Sequence, residues 1–85
     1  MKNELDSKFV LAVFEKIRLL GEKTEEGHVL EGVTAWTDFD GYTVYLQDHQ
    51  VQLSWGFHNQ YHYQYDNAEQ LEQFLTRLRH INHTY

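Results

Sequence analysis

Cysteine is absent from these 85 residues. Neither a disulfide nor a thiolate zinc site is therefore available. No apolar run approaches the ~20 residues of a membrane-spanning helix. Lysine and arginine total seven against thirteen acids, for a formal charge of −6. Nucleic-acid affinity comes largely from basic residues that displace phosphate counterions. Seven scattered cations therefore argue against nucleic acid and against an anionic membrane surface. The glycines, Gly21, Gly27, Gly32, Gly41 and Gly56, spell neither a phosphate loop nor a dinucleotide fingerprint, so no cofactor is expected. The opening MKNELDSKF has no signal-peptide apolar core, and the expectation is a cytoplasmic protein.

A chain of this length makes one domain, residues 1–85. Its core is modest, because a short chain buries only roughly 60–65% of its unfolded surface. Thirteen aromatic residues supply bulk, each able to bury ~150–250 Å². The acids crowd the middle: Glu22, Glu25, Glu26, Glu31, Asp38, Asp40 and Asp48 face Lys23 alone.

Helical periodicity marks residues 4–20. Leu5, Phe9, Val13, Ile17 and Leu20 recur at helical spacing, with Val10 and Phe14 beside them. Asn3 is placed to cap the start and Gly21 to end the helix. The apolar arc, roughly 200°, is wider than the ~100° stripe of an ordinary surface helix. Such a helix touches two neighbours, while Leu11 and Leu19 fall outside the arc. A second helix is expected over residues 67–82, where Leu71, Phe74, Leu75, Leu78 and Ile81 share a face. Asp66 is placed as its N-cap, with Glu69 three residues on.

Between the helices lie strands. Asp40-Gly41 is a hairpin signal. A two-residue turn at Asp48-His49 pairs Leu46 with Val51, Val44 with Leu53 and Tyr42 with Trp55, and so puts six apolar side chains on one face. In "FHNQYHYQYDN", residues 57–67, a two-residue turn would throw the tyrosines onto the other face. A three-residue loop, His58–Gln60, instead pairs Phe57 with Tyr61, Trp55 with Tyr63 and Leu53 with Tyr65. A one-residue slip reverses every side chain, so the three-residue loop is preferred. Carried back across Asp40-Gly41, the grid pairs Phe39 with Tyr42, Thr37 with Val44 and Ala35 with Leu46. Glu22–Gly27 reads as a polar connection, and residues 29–37 as the first strand. The fold expected is α+β: a helix, a four-stranded antiparallel meander and a helix, with both helices on one face of the sheet. Trp55 is then buried and Trp36 exposed on the opposite face.

The open face carries the candidate site. Trp36 lies opposite Tyr45 there, with Thr43, Ser54 and His62 nearby. Such a pair either marks a binding patch or stabilises the strands by about 0.5–1.5 kcal/mol. Ser54 lies diagonal to His62, with Asp38 in its row, which leaves no nucleophile and base within the ~2.6–3.2 Å that nucleophilic catalysis needs. His58 and His62, on a loop and a strand, lack a carboxylate at metal-ligand distance. No catalytic, cofactor or metal residue is assigned.

Three stretches, "VFEKIRLLGEKTEEG", "EGVTAWTDFDGYTVYL" and "FHNQYHYQYDN", resemble a family of short acidic bacterial proteins described only as a domain of unknown function. The resemblance runs from about Phe9 to Asn67 and implies no catalytic residue, substrate or cofactor. The reading favoured is a non-enzymatic protein-interaction module or weak homodimer using the open sheet face. The alternative is a small-molecule binder or enzyme with a pocket between sheet and helices, lined by Tyr61, Tyr63 and Tyr65.

Overall fold

The structure is a computed structural model and describes residues 7–39, 41–56 and 60–85. In chain order it comprises α1 (Ser7–Leu20), β1 (Glu22–Lys23), β2 (His28–Leu30), β3 (Val33–Thr37), β4 (Thr43–Gln47), β5 (Gln52–Gly56), β6 (Tyr61–Gln64) and α2 (Ala68–Thr84). The expected Asn3 cap, Leu5, Asp40 of the hairpin turn, and Phe57, His58 and Asn59 lie outside the described residues.

The sheet is an antiparallel meander of six strands in sequence order, not the four expected. Two polar turns account for the difference. Glu31 and Gly32 both have positive φ, 54° and 80°, as a two-residue type I′ hairpin turn requires. This turn breaks the single strand expected over 29–37 into β2 and β3, pairing Leu30 with Val33. The supposed connection Glu22–Gly27 is itself a hairpin. Thr24 N donates to Gly27 O at 2.7 Å, and Gly27 N donates back to the Thr24 hydroxyl at 3.2 Å. Backbones meet tightly here: a Cβ on Gly27 would drive into Ala35 O and lie 2.9 Å from Trp36 Cβ.

The register of β3 on β4 is the expected one, with Ala35 opposite Leu46 and Thr37 opposite Val44. The next two pairings differ by two residues. Leu46 lies opposite Leu53 and Val44 opposite Trp55, instead of Val51 and Leu53. The cause is Asp48, whose carboxylate Oδ1 accepts from both Gln50 N and Val51 N at 2.8 Å. That capping makes a four-residue loop instead of a tight Asp48-His49 turn. Likewise Trp55 lies opposite Tyr61 and Leu53 opposite Tyr63, with Gly56 N donating to Gln60 O at 3.0 Å. A shift of two keeps the paired side chains on their expected faces, while Tyr42, Val51 and Tyr65 fall outside the strands.

That parity decides the core. Val33, Ala35, Val44, Leu46 and Leu53 join Val10, Val13, Phe14 and Ile17 of α1 and Phe74, Leu75, Leu78 and Ile81 of α2 in one buried cluster. The wide apolar arc of α1 is explained by its two neighbours, the β2–β3 end of the sheet and α2. Leu11 and Leu19 are exposed, as expected, but so is Leu20. Trp55 is only half-buried, because it packs at the margin of the cluster beside Tyr61. Its indole N–H is nonetheless enclosed, with no hydrogen-bond partner among the described residues.

Helix α2 starts one residue later than expected. Asn67, not Asp66, is the N-cap, accepting from Gln70 N at 2.9 Å. The Gln70 side chain reaches back to Asp66 N at 3.0 Å, a reciprocal arrangement akin to a capping box. Three further ties anchor the helices. Lys16 Nζ donates to Asn82 O at 2.7 Å. Arg77 lies between Asp48, with Nε 3.7 Å from Oδ2, and the β2–β3 turn, where Nη1 donates to Glu31 O. The Tyr85 hydroxyl donates to Glu31 Oε2 at 2.6 Å.

This last contact gives a titration test. The hydrogen bond to Glu31 raises the Tyr85 phenol above its ordinary 10.0, with desolvation and the carboxylate's charge adding to the effect. Because the folded-state value is raised, the contact stabilises the fold below pH 10 and is lost as pH rises through the phenol's titration. Subtracting the tyrosinate absorbance curve of Tyr85→Phe from that of the wild type isolates the transition. It is expected above 10.0 and should move down in Glu31→Gln. A Tyr85 transition at or below 10.0 in the wild type contradicts the contact.

Candidate interaction face

Residues that alternate away from the core face form the open side of the sheet. The pairings arrange them in rows across the strands. Trp36 on β3 opposes Tyr45 on β4, Tyr45 opposes Ser54 on β5, and Ser54 opposes His62 on β6. At ~4.8 Å between strands, this row is about 14 Å long. A second row crosses all six strands: Glu22, Val29, Thr34, Gln47, Gln52 and Gln64. Thr43 lies opposite Gly56 in a third. The five candidates Trp36, Tyr45, Thr43, Ser54 and His62 are thus brought together on one face.

Trp36 and Tyr45 stack with ring centroids 4.9 Å apart and planes 6° from parallel. The mutual cover leaves Trp36 half-buried instead of exposed. Both tryptophans are therefore half-buried, on opposite faces. Gly27 brings the β1–β2 turn against Trp36, as its missing Cβ shows, and carries Glu26 to the same place. Glu26, Trp36 and Gln47 line a hollow of about 300 Å³. A second, of about 320 Å³, lies beside it between Thr24, Glu25, Glu26, Val29 and Thr34. Glu26 belonged to a polar connection in the sequence reading. The signal that could have placed it is the Thr24–Gly27 spacing of a turn.

The electrostatics of this end are one-sided. Glu22, Glu25 and Glu26 stand exposed at the β1–β2 end, whereas Asp48 and Glu31 are engaged by Arg77 and Tyr85. Lys23 sits on the other face, in register with His28 and Ala35, and Arg18 is paired with Glu15 at 2.7 Å. By contrast, residues 49–65 contain no carboxylate, lysine or arginine. The open face thus grades from anionic at β1–β2 to neutral and polar at β5–β6.

The register makes Ser54 and His62 direct cross-strand neighbours instead of diagonal ones. Among the described residues no hydrogen bond joins them, and Asp38 falls in the row of Thr43, to whose carbonyl its N–H donates at 3.0 Å. Among the described residues no hydrogen bond from a third group orients the imidazole. Among the described residues no cluster of three or more histidines and carboxylates could hold a metal ion. No helix among them is long and apolar enough to cross a membrane.

The three tyrosines are split. Tyr61 and Tyr63 lie on the core face, half-buried against the cluster, whereas Tyr65 lies past the end of β6 and is 45% exposed. Tyr63 and Tyr65 meet edge to face at 6.5 Å. Tyr65 also borders a polar hollow of about 280 Å³ with Asp48, Gln64 and Asp66.

Fold and face together define a small α+β domain: a six-stranded antiparallel meander, with two helices against one side and a polar, aromatic surface on the other. The chain belongs to the family described as "Protein of unknown function (DUF3081)", which it matches over residues 5–85. No curated protein and no solved structure matches it.

Proposed function

We propose that this domain is a non-enzymatic contact module whose open sheet face binds a protein partner bearing positive charge. The Trp36–Tyr45 stack carries the reading. Two large rings sit on the side away from the helices, and tryptophan and tyrosine dominate the energetics of protein contacts. Polar side chains that flank them in rows, Thr34, Thr43, Gln47, Ser54 and His62, suit a hydrogen-bonding rim. The occupant follows from charge. A second copy brings another −6 to a face whose β1–β2 end is already anionic, whereas a basic surface complements it.

Site-specific photocrosslinking tests the reading. A photoreactive side chain at Thr43 should give a discrete adduct with a basic protein in cells. Trp36→Ala should suppress the adduct, and the same group at Glu15 on the outside of α1 should not give it. Adducts only between two copies would replace the partner with a homodimer. The absence of any adduct from Thr43 would reject the contact surface. The reading that gains then is a small-molecule site at Tyr61, Tyr63 and Tyr65, favoured by the hollow beside Tyr65. Ser54→Ala and His62→Ala should each leave stability within about 0.5 kcal/mol of wild type, as substitutions away from the core do. A chemical melt of either variant checks this.

A further inference from the structure

We propose that the hollow between Glu26, Trp36 and Gln47 seats an arginine side chain of the partner. This rests on the open face being a contact surface and specifies its chemistry. Tyr45 covers one side of the Trp36 indole, at 6° from parallel, and does not border the hollow. A cation against an indole is attracted by the negative charge of the ring face. Glu26 supplies a carboxylate to the lining, and Gln47 on β4 an amide. Glu25 stands in the adjoining hollow, so the field there favours a positive charge.

The wall composition selects guanidinium over ammonium. A guanidinium is planar and less strongly hydrated, so it lies against the indole while its fork of N–H donors still reaches outward. Glu26 can accept two of those bonds side by side, and the Gln47 carbonyl oxygen a further one. An ammonium is a compact, strongly hydrated charge that cannot stack. Among the described residues no lysine or arginine lines the hollow. Arg18 lines a neighbouring hollow with Glu26 and Trp36 but is engaged by Glu15. Lys23 Nζ donates to Thr24 O at 3.3 Å.

Three capped tripeptides, Gly-Arg-Gly, Gly-Lys-Gly and Gly-citrulline-Gly, test the seat against the full chain by two-dimensional NMR. Citrulline keeps the shape of arginine without its charge. The arginine peptide should shift the Trp36 indole N–H, the Glu26 backbone amide and the Gln47 side-chain amide in one saturable transition. Lysine should bind more weakly, and citrulline should leave the three signals in place. Glu26→Gln, a change on an exposed turn, should weaken the arginine peptide by about two- to five-fold, the size of an exposed charge contact. Equal shifts from arginine and citrulline, or from arginine and lysine, would overturn the assignment. So would shifts confined to the helices. Thr43 adducts that persist while the arginine peptide moves nothing reject this seat and leave the contact surface standing. If both fail, both fall.

Discussion

Phe74→Ala should lower the melting temperature by roughly 15–30 °C. The Phe74 ring is 0% exposed, one of the largest fully buried side chains, and lies where α2 meets the common cluster. Truncating a buried phenylalanine costs ~3–5 kcal/mol, through lost transfer energy and the cavity left behind. Typical domains have only ~5–15 kcal/mol to lose, and 1 kcal/mol moves the melting point of a 60–100-residue domain by about 4–8 °C. Phe74→Leu, which keeps most of the volume, should recover the greater part. Circular dichroism melts of the three proteins check both statements. A shift of only a few degrees in Phe74→Ala would mean that α2 does not close the core as described.

Asp48→Ala should be the next most damaging change, at roughly 3 kcal/mol. Asp48 is a nearly buried carboxylate, 6% exposed, and accepts two backbone N–H bonds of 2.8 Å. Hydrogen bonds to a charged group contribute ~1.5–3 kcal/mol each. Removing the carboxylate leaves two loop donors and the Arg77 guanidinium without it. Asp48→Asn keeps an oxygen that can accept both N–H bonds and should cost about half as much. Denaturant titration with a shared slope measures the difference. An alanine variant within about 0.5 kcal/mol of wild type would show that the loop does not depend on this side chain.

Asp48 also shows what the sequence made legible. Alternation in Tyr42–Gln47 and Gln50–Phe57 decided which residues face the core, and the structure keeps those faces for Val44, Leu46, Val51, Leu53 and Trp55, while Tyr42, outside β4, is exposed. It did not decide the offset along the strands, because registers two residues apart bury the same set. The offset depends on where the loop closes. That in turn depends on one carboxylate reaching two N–H groups, for which Asp48-His49 offers no periodic pattern. Glu31-Gly32 was hidden for a different reason. A glutamate at positive φ is uncommon, so a pair needing two such residues did not read as a turn, and β2 merged with β3. At the N-terminus of α2, adjacent Asp66 and Asn67 are both competent caps, and composition alone does not choose between them.

The same logic divides the candidate site. Trp36 and Tyr45 were placed opposite each other because the Asp40-Gly41 hairpin signal set the offset that pairs Ala35 with Leu46. Ser54 and His62 entered the same row only once the β5–β6 offset was corrected, and the β4–β5 offset moved Asp38 out of Ser54's row. Glu26 was missed because its place beside Trp36 comes from the β1–β2 hairpin, a two-residue pairing with almost no hydrophobic signature. Strand β1 is short and fully charged, the usual way an edge is kept from adding strands. That directs attention from the β1 edge to the face.

The open face should be covered in the cell. Covalent labelling of tryptophan and tyrosine, read by mass spectrometry in intact cells and on the purified protein, tests it most directly. The account predicts that Trp36 and Tyr45 react markedly less in cells than in isolation, while Tyr85 reacts equally in both. Equal modification of Trp36 in the two settings would contradict it.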